Sequence, residues 1–460
     1  MSELTMEKLV GFCKRVGFVF PGSEIYGGMG NTWDYGPIGI ELKNNIKKLW
    51  WKKAVQESEN SYGIDTSILM NPMVWKASGH LDNFSDPLMD CRECKTRHRA
   101  DKLIEEYQRK NNNFDVNPDA LDKAELYDYI VKHNIKCPNC GKQNFTEVRN
   151  FNLMFETNRG VSEDKQSKIY LRPETAQGEY INFLNLQRTT RAKVPFGVAN
   201  IGKAFRNEIT PGNFTFRTIE FEQMEHQLFC HEKDAKSYYD YYKNFAMEFF
   251  VSLGIPKDKL RFKDHDKLAH YASAACDVHY KFPFGWDEIN GTHLRGTWDL
   301  SRHQEFSGKS MAYTDPFTNE TFIPTVVEHT IGCDRLALAL LCNAYDEEVL
   351  EGGDTRVVLR FTPQVAPYKV CVLPLQKNLS EEARKVYKML TQKFMCSYDE
   401  SGSIGKRYRR QDEIGTPYCV TIDFDTLNDK SVTIRDRDSM KQERIKIDEL
   451  LSFLTPKIED

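Results

Sequence analysis

Eleven residues, Ile331-Gly-Cys-Asp-Arg-Leu-Ala-Leu-Ala-Leu-Leu341, set the tightest limit on what this chain can fold into. Apart from its first turn the run is apolar on every side, so a helix built from it must be buried all round. Yet Arg335 stands in that first turn, where a cation opposes the helix dipole. Such an arginine makes most sense if an anion meets it, although a bond to Asp334 or to a neighbouring carbonyl would also satisfy it. About a hundred residues earlier, Val198–Glu222 carries Arg206, Asn207 and Glu208, then Pro211-Gly212. Pro-Gly is the dipeptide of a type II turn. The alternation that follows, with Phe214 and Phe216 on one face and Arg217, Ile219 and Phe221 on the other, predicts a hairpin with charged groups beside its loop. The two stretches read as the halves of one nucleotide site.

The chain has 460 residues, enough for two to four domains. With 63 Lys and Arg against 67 Asp and Glu, the net charge is −4, so any nucleic acid must be held by local basic patches. No apolar run approaches the roughly 18 residues of a membrane span. The first residues, Met-Ser-Glu-Leu-Thr-Met-Glu-Lys, lack the basic-then-apolar order of a secretory signal, and the expectation is a cytoplasmic protein. Twelve cysteines, four of them in two Cys-x-x-Cys pairs, suit a reducing compartment and a metal better than a disulfide framework.

The periodicity predicts a short amphipathic helix over 4–16, a glycine-rich loop over Tyr26–Pro37, and a long helix from Ile38 to about Val55 that exposes Trp50 and Trp51. A polar, Asn- and Lys-rich insertion occupies 88–150, with a helix expected over Asp101–Lys110. Pro363 and Pro367 mark a boundary. Beyond it come strands over Tyr368–Leu375 and Cys419–Phe424, a helix over Ser380–Phe394, a hairpin pairing Val432–Ile434 with Arg444–Ile447, and a closing helix over Ile447–Phe453. Strands alternating with helices predict a small α/β domain.

Cys91-x-x-Cys94 and Cys137-x-x-Cys140 place two thiols on each of two tight turns, and four sulfurs complete a tetrahedral zinc shell. Disulfides or unligated thiols are the alternatives. His98 is read as a surface residue because four thiols suffice. A closed shell has no open position and does no chemistry.

Carboxylates recur through the middle of the chain: Glu174 in Leu171–Gly178, Glu222 and Glu225 after the hairpin, Glu288 in Trp286-Asp-Glu, and Glu328 before Gly332. Alone, each reads as a solvated acid. The hairpin and the apolar helix, however, resemble motifs 2 and 3 of the class II aminoacyl-tRNA synthetases. The acids, Arg97-His-Arg99-Ala-Asp101 and Phe151–Phe155 resemble in particular the dimeric glycyl-tRNA synthetases. The likeness covers nearly the whole chain, and the helix from Ile38 resembles motif 1, the dimer element.

The resemblance implies a class II catalytic domain over 1–362, an α+β fold with an antiparallel sheet flanked by helices. It also implies a zinc-ribbon-like insertion at 88–150 and an α/β anticodon-binding domain over 366–460. Arg206 and Arg335 would be the catalytic cations, on the α- and γ-phosphates of ATP. Asn207, Glu208, Phe216, Arg217, Phe221, Glu288, Ile289, Gly332 and Asp334 would complete the ATP site. Glu174, Glu225 and Glu328 would surround the glycine ammonium, with Arg99, Phe221, Arg295, Thr330 and Gly332 around them. Mg²⁺ would accompany ATP, structural Zn²⁺ would fill the cysteine site, and the partners would be ATP, glycine, tRNA(Gly) and a second copy of the chain.

The chemistry agrees with that assignment. A carboxylate attacking the α-phosphorus needs its charge neutralised and its approach oriented, and no side-chain nucleophile. Glycine has no side chain to grip, so acids for its ammonium and walls at its α-carbon are the route to specificity. Four residues depart from the family pattern: Thr330 for serine, His329 for proline, Ile219 for arginine and Gln227 for glutamate. Lys406-Arg-Tyr-Arg-Arg410 is either a phosphate-and-stacking patch or a helix neutralised by Asp412 and Glu413. The rival readings are another adenylating enzyme of this fold and a non-catalytic, nucleic-acid-binding accessory protein of this fold. Accessory proteins of that kind lose the phosphate-binding arginines, whereas Arg206, Arg217 and Arg335 are all present.

Overall fold

The computed structural model describes residues 4–160, 167–208, 212–265, 268, 272–350 and 352–459. Helix α1 (Met6–Val16) begins where the Thr5 hydroxyl accepts the Lys8 amide and ends at Gly17, which adopts a left-handed φ of 88°. Helix α2 (Pro37–Trp51) opens on a proline and runs on as a π turn over Lys52–Gln56. Its start lies so close to Phe18 that a Cβ on Gly39 would be 2.0 Å from the Phe18 carbonyl oxygen, so only glycine fits. The expected helix is there, but Trp50 is fully buried and Trp51 packs over Gly63. Both indoles are drawn inward because they fill the groove between α2 and the sheet.

That sheet has seven strands: β1 (Ser61–Gly63), β2 (Phe196–Phe205), β3 (Glu220–Cys230), β4 (Leu260–Asp264), β5 (Ala274–Phe282), β6 (Gly285–Gly296) and β7 (Thr325–Gly332). Their order is β4-β5-β6-β7-β3-β2-β1, antiparallel throughout except where β1 runs parallel to β2. Helices α3 (Glu232–Ser252) and α4 (Cys333–Ala344) cover one face. As its composition requires, α4 is buried nearly all round, with Leu336 to Leu341 each 2% exposed or less. Each such leucine contributes about 1.5–3 kcal/mol of burial. The other face carries the polar site.

The hairpin differs in detail from the expectation. β2 and β3 pair from Phe205↔Glu220 to Phe196↔Phe229, so the connection spans 206–219 and is no two-residue turn. Pro211 lies outside the described residues. Instead of a strand, Phe214–Phe216 form a 3₁₀ turn, with Asn213 and Phe214 both at positive φ. The turn forms because Phe214 packs against Trp33 (centroids 4.7 Å apart) and Phe216 against Phe282 and Phe284, which alternation along one strand would not allow.

The insertion is a three-stranded sheet with Ser85–Asp90 between Arg97–Arg99 and Arg149–Asn152. It is closed by helices Ala100–Asn111 and Lys123–Lys132 over its own core of Ile104, Leu126, Ile130 and Phe145. The C-terminal sheet, of β8 (Val370–Pro374), β9 (Cys396–Tyr398), β10 (Tyr418–Ile422), β11 (Ser431–Asp436) and β12 (Gln442–Lys446), has the order β9-β8-β10-β11-β12. Its first three strands are parallel and the rest antiparallel. Helix α5 (Ser380–Leu390) and a closing helix α6 (Leu450–Glu459), entered through a 3₁₀ turn at Ile447–Glu449, complete it.

The basic run at Lys406–Arg410 lies on a helix, Ile404–Ile414, and its arginines are occupied. Arg407 donates to the carbonyls of Pro374 and Leu375, Arg409 pairs with Asp354, and Arg410 with Asp399. Asp412 is buried between Arg356, at 2.9 Å, and Arg435, at 2.8 Å. Arg409 and Asp412 therefore tie this helix to Asp354 and Arg356, ahead of the C-terminal unit, while Arg407 and Arg410 bond within that unit. No helix among the described residues is long and apolar enough to cross a membrane.

Candidate functional site

An open cleft of about 640 Å³ lies where the β2–β3 connection, β6 and the start of α4 converge. Arg335 reaches it from the first turn of α4. Its Nε donates to the Phe216 carbonyl (3.2 Å), its guanidinium stacks 4.4 Å from the Phe216 ring, and it pairs with Glu288 at 3.0 Å. Gly332 lies against the Arg335 side chain, where a Cβ would come into ordinary contact at 3.4 Å. Arg206 donates to the Pro173 carbonyl and lies between the rings of Phe84 and Phe221, each 5.4 Å away. Two guanidiniums thus face one cleft, each held by carbonyls and rings that leave other N–H groups for an anion.

Glu208, Phe216, Arg217, Phe221, Glu288, Gly332 and Asp334 also line the cleft. Asn207 is tied by its backbone to Leu153, and Ile289 is buried in the core. Asp334 is engaged elsewhere: one oxygen accepts Lys43 of α2 at 2.7 Å and the other the Glu222 amide at 2.7 Å. Burial would raise its pKa, but Lys43 holds it below the usual carboxylate range. Asp334 therefore locks α2 to the floor of the cleft.

Next to the cleft, β3 and β7 present acids and β6 a histidine from the same sheet face, because Glu225↔Thr330↔Gly291 and Gln227↔Glu328↔His293 are cross-strand neighbours. Glu328 accepts His293 Nδ1 (2.7 Å), Arg295 (2.9 Å) and the Gln227 amide (3.1 Å). Burial opposes its ionisation, yet Arg295 and His293 hold it down at about 2. Glu225 accepts the Thr175 and Thr330 hydroxyls. Burial, with Glu328 and Glu174 near, pushes it up to about 8. Glu174 accepts the Gln177 amide and faces His80 at 3.5 Å. Although burial opposes it, His80 keeps that carboxyl well below its ordinary value. Arg295 is clamped by Asp299 through two bonds of 2.8 and 3.0 Å.

Several members of the pocket carried no motif. Tyr180 donates to Gln227 and stacks on Arg295, and His303 bonds to Gln177. Glu179 is fully buried, and burial with the neighbouring Glu225 pushes its carboxyl well above the usual range. Gln177 and Tyr180 follow Glu174 at helical spacing, a signal available in the sequence; His80 and His293 gave none. Of the departures, Thr330 faces the acids, while His329 points to the opposite face, against Tyr242 and Phe245.

Arg99 stands apart from these acids, pinned between Asp86 (2.9 Å) and Asp101 (2.6 Å) at the foot of the insertion. At the insertion's far side, Cys91, Cys94, Cys137 and Cys140 bring their sulfurs within 4.8 Å of one another, a set able to hold a metal ion. His98, expected at the surface, is buried instead. Its strand turns it inward over Phe145, with Nε2 3.3 Å from the Cys137 sulfur.

The chain aligns along its length with a solved structure described as the RNA binding domain of threonyl-tRNA synthetase from Cryptosporidium parvum, with a TM-score of 0.64, 16% identity and 98% of each chain covered. Residues 369–457 match the model of an anticodon binding domain, and 108–153 that of glycyl-tRNA synthetase insertion domain 1. The fold is thus a mixed sheet-and-helix α+β architecture with a class II anticodon-binding domain, the class of the aminoacyl-tRNA synthetases. Among curated relatives, the glycine–tRNA ligase of Acetivibrio thermocellus is 59% identical over 457 residues, covering 99% of both chains. Those of Clostridium kluyveri and Caldanaerobacter subterraneus are 58% and 56% identical, again over 99% of both chains. The chain belongs to the glycine–tRNA ligase family.

Proposed function

We propose that the chain activates glycine with ATP and transfers it to tRNA(Gly). A glycine carboxylate oxygen attacks the α-phosphorus, the bond to the β-phosphate oxygen breaks, and pyrophosphate leaves. A hydroxyl at the 3′ end of the tRNA then attacks the glycyl carbonyl and AMP departs. The observation that carries this reading is the pair Arg206 and Arg335 facing one cleft beside a pocket of buried acids.

In this reading Arg206 neutralises the α-phosphate and Arg335 holds the γ-phosphate, releasing Glu288 as it does so. Phe216, Arg217 and Phe221 frame the base, while Glu208 and the Asn207 and Ile289 segments set its edge. Mg²⁺ bound with the triphosphate would supply charge neutralisation. Glu288, an oxygen donor at the cleft, would be a residue suited to hold it. Glu174, Glu225 and Glu328 receive the ammonium, Arg295 keeps Glu328 ionised, and Thr330 with Gly332 walls the α-carbon. Arg99 links the insertion to the cleft entrance.

Zn²⁺ suits the four clustered thiols and would fasten the insertion as a zinc ribbon, since a closed thiolate shell supplies folding energy rather than chemistry. We also read the catalytic unit as ending near residue 362, the C-terminal unit from 366 as the reader of the anticodon, and the working form as a cytoplasmic homodimer. The test is ATP–pyrophosphate exchange across the twenty amino acids, without tRNA. Exchange dependent on glycine alone supports the reading; exchange driven better by another amino acid, or by none, overturns it.

A further inference from the structure

On the sheet face that carries the acid pocket, two strands toward the β4 edge, stands a second cluster. His265, just past the end of β4, Asp277 of β5 and His293 of β6 bring one ligand atom each within 4.8 Å of one another. His265 Nε2 lies 2.8 Å from Asp277 Oδ2, and the His265 and His293 rings are 5.9 Å apart and nearly perpendicular. His279 Nε2 approaches the same Asp277 oxygen at 3.7 Å, beside the three-residue cluster.

We propose that His265, Asp277 and His293 form a second metal site, for a zinc-class divalent cation, that the cysteine cluster does not include. Four observations support it. The donors are two imidazoles and one carboxylate, which suit zinc rather than magnesium. His293 is oriented from behind: its Nδ1 is engaged by Glu328 at 2.7 Å, which leaves Nε2 as the free nitrogen toward the cluster. A carboxylate on the far nitrogen is what metal-ligating histidines characteristically have. Gly291 opens the space, since a Cβ there would meet His293 Cε1 at 2.9 Å and Asp277 Oδ1 at 3.6 Å. Finally, Asp277 is buried while the His265 side chain is one-third exposed, so an ion has both an anchored charge and a way in.

Bonds of about 2.0–2.1 Å to zinc put ligand atoms roughly 3.4 Å apart, so an ion would part the 2.8 Å contact between His265 and Asp277, with the exposed His265 as the group placed to move. Three protein ligands leave a position for water or for His279. The site differs from the four-thiolate shell in kind, having no sulfur.

The experiment titrates Co²⁺ and Zn²⁺ into full-length protein whose cysteine site is already loaded with one zinc per chain, reading stoichiometry by calorimetry and by the cobalt spectrum. One further equivalent is expected, with cobalt bands lacking thiolate charge transfer and no displacement by a large excess of Mg²⁺. His265→Ala and Asp277→Asn should weaken that equivalent on the order of 100-fold. Glu328→Gln, which weakens the hydrogen bond behind His293 and also removes the charge paired with Arg295, should weaken it about 10-fold. His265 is exposed, so its variant tests the site even where Asp277→Asn perturbs the sheet. No further equivalent in wild type, displacement by Mg²⁺, or a further equivalent undiminished in His265→Ala overturns the proposal.

Discussion

At the mouth of the cleft, the Arg335 and Glu288 side chains are 26% and 44% exposed, whereas farther along β6 and β7 Arg295 and Glu328 are 3% and 6% exposed. The first pair meets water and has one direct ion-pair bond, so it is worth at most about 1 kcal/mol and can part when a stronger anion arrives. The second pair is stripped of solvent and bonded on all sides, by Asp299, His293 and Gln227. Breaking one partner there leaves a charge buried, which costs about 3–5 kcal/mol. On the proposed function, the first half exchanges partners with a large, polyanionic ligand, and the second receives a small cation in a frame already made.

The largest expected effect tests the exchanging half. Arg206→Ala should lower glycine-dependent ATP–pyrophosphate exchange by on the order of 10²-fold or more, with circular dichroism and melting temperature close to wild type, because its present bonds are one carbonyl and two ring contacts. Exchange within threefold of wild type would remove Arg206 from the chemistry. The rigid half is tested by pH. Since Glu225 is pushed up to about 8, it is protonated below that pH and loses the charge that would face an ammonium. Glycine KM should therefore fall as pH rises toward 8, by up to roughly tenfold per unit. The trend should vanish in Glu225→Gln; a trend unchanged in that variant would show that another group titrates.

Thr330 tests how closely the frame fits. Its hydroxyl is bonded to Glu225 at 3.0 Å, which directs the methyl into the remaining space. Thr330→Gly should raise alanine activation relative to glycine by roughly 10-fold, read as the ratio of kcat/KM in exchange, because one methyl is worth about 1–3 kcal/mol. An unchanged ratio means the wall lies elsewhere. The smallest effect on exchange belongs to the cysteine cluster. Removing its metal should unfold the insertion, seen as new protease cleavage within 88–150, yet leave exchange within a few-fold. The insertion has its own core, and Arg99 at its foot is paired with Asp86 and Asp101 rather than with the acids of the pocket. Complete loss of exchange would show that the two units fold as one.

Several features of the fold were written locally. The apolar run from Leu336 could only be a buried helix, and the strands at Val370 and Tyr418 and the helix from Ser380 followed their periods, although that helix stops at Leu390 and the closing helix runs later, over Leu450–Glu459. The paired cysteines were legible too, since their spacing is a property of each turn. What escaped was every residue whose partner is distant in sequence. Trp50 was expected outside and lies within, Phe214 and Phe216 left the strand pattern for rings at Trp33 and Phe282, and His98 turned inward.

The basic run at Lys406–Arg410 carries the contrast furthest. Its composition allowed either a nucleic-acid patch or a neutralised helix, and only the arrival of Asp354, Asp399 and the Pro374 carbonyl decided for internal pairing. The same holds in the pocket, where Glu174, Glu225 and Glu328 are alike in chemistry yet lie on opposite sides of neutral pH. Sequence by itself determined which groups were present and which short-range periods they obeyed. Tertiary structure decided their charge, because ionisation depends on the solvent removed and the partner supplied, and both come from strands and helices far away in the chain.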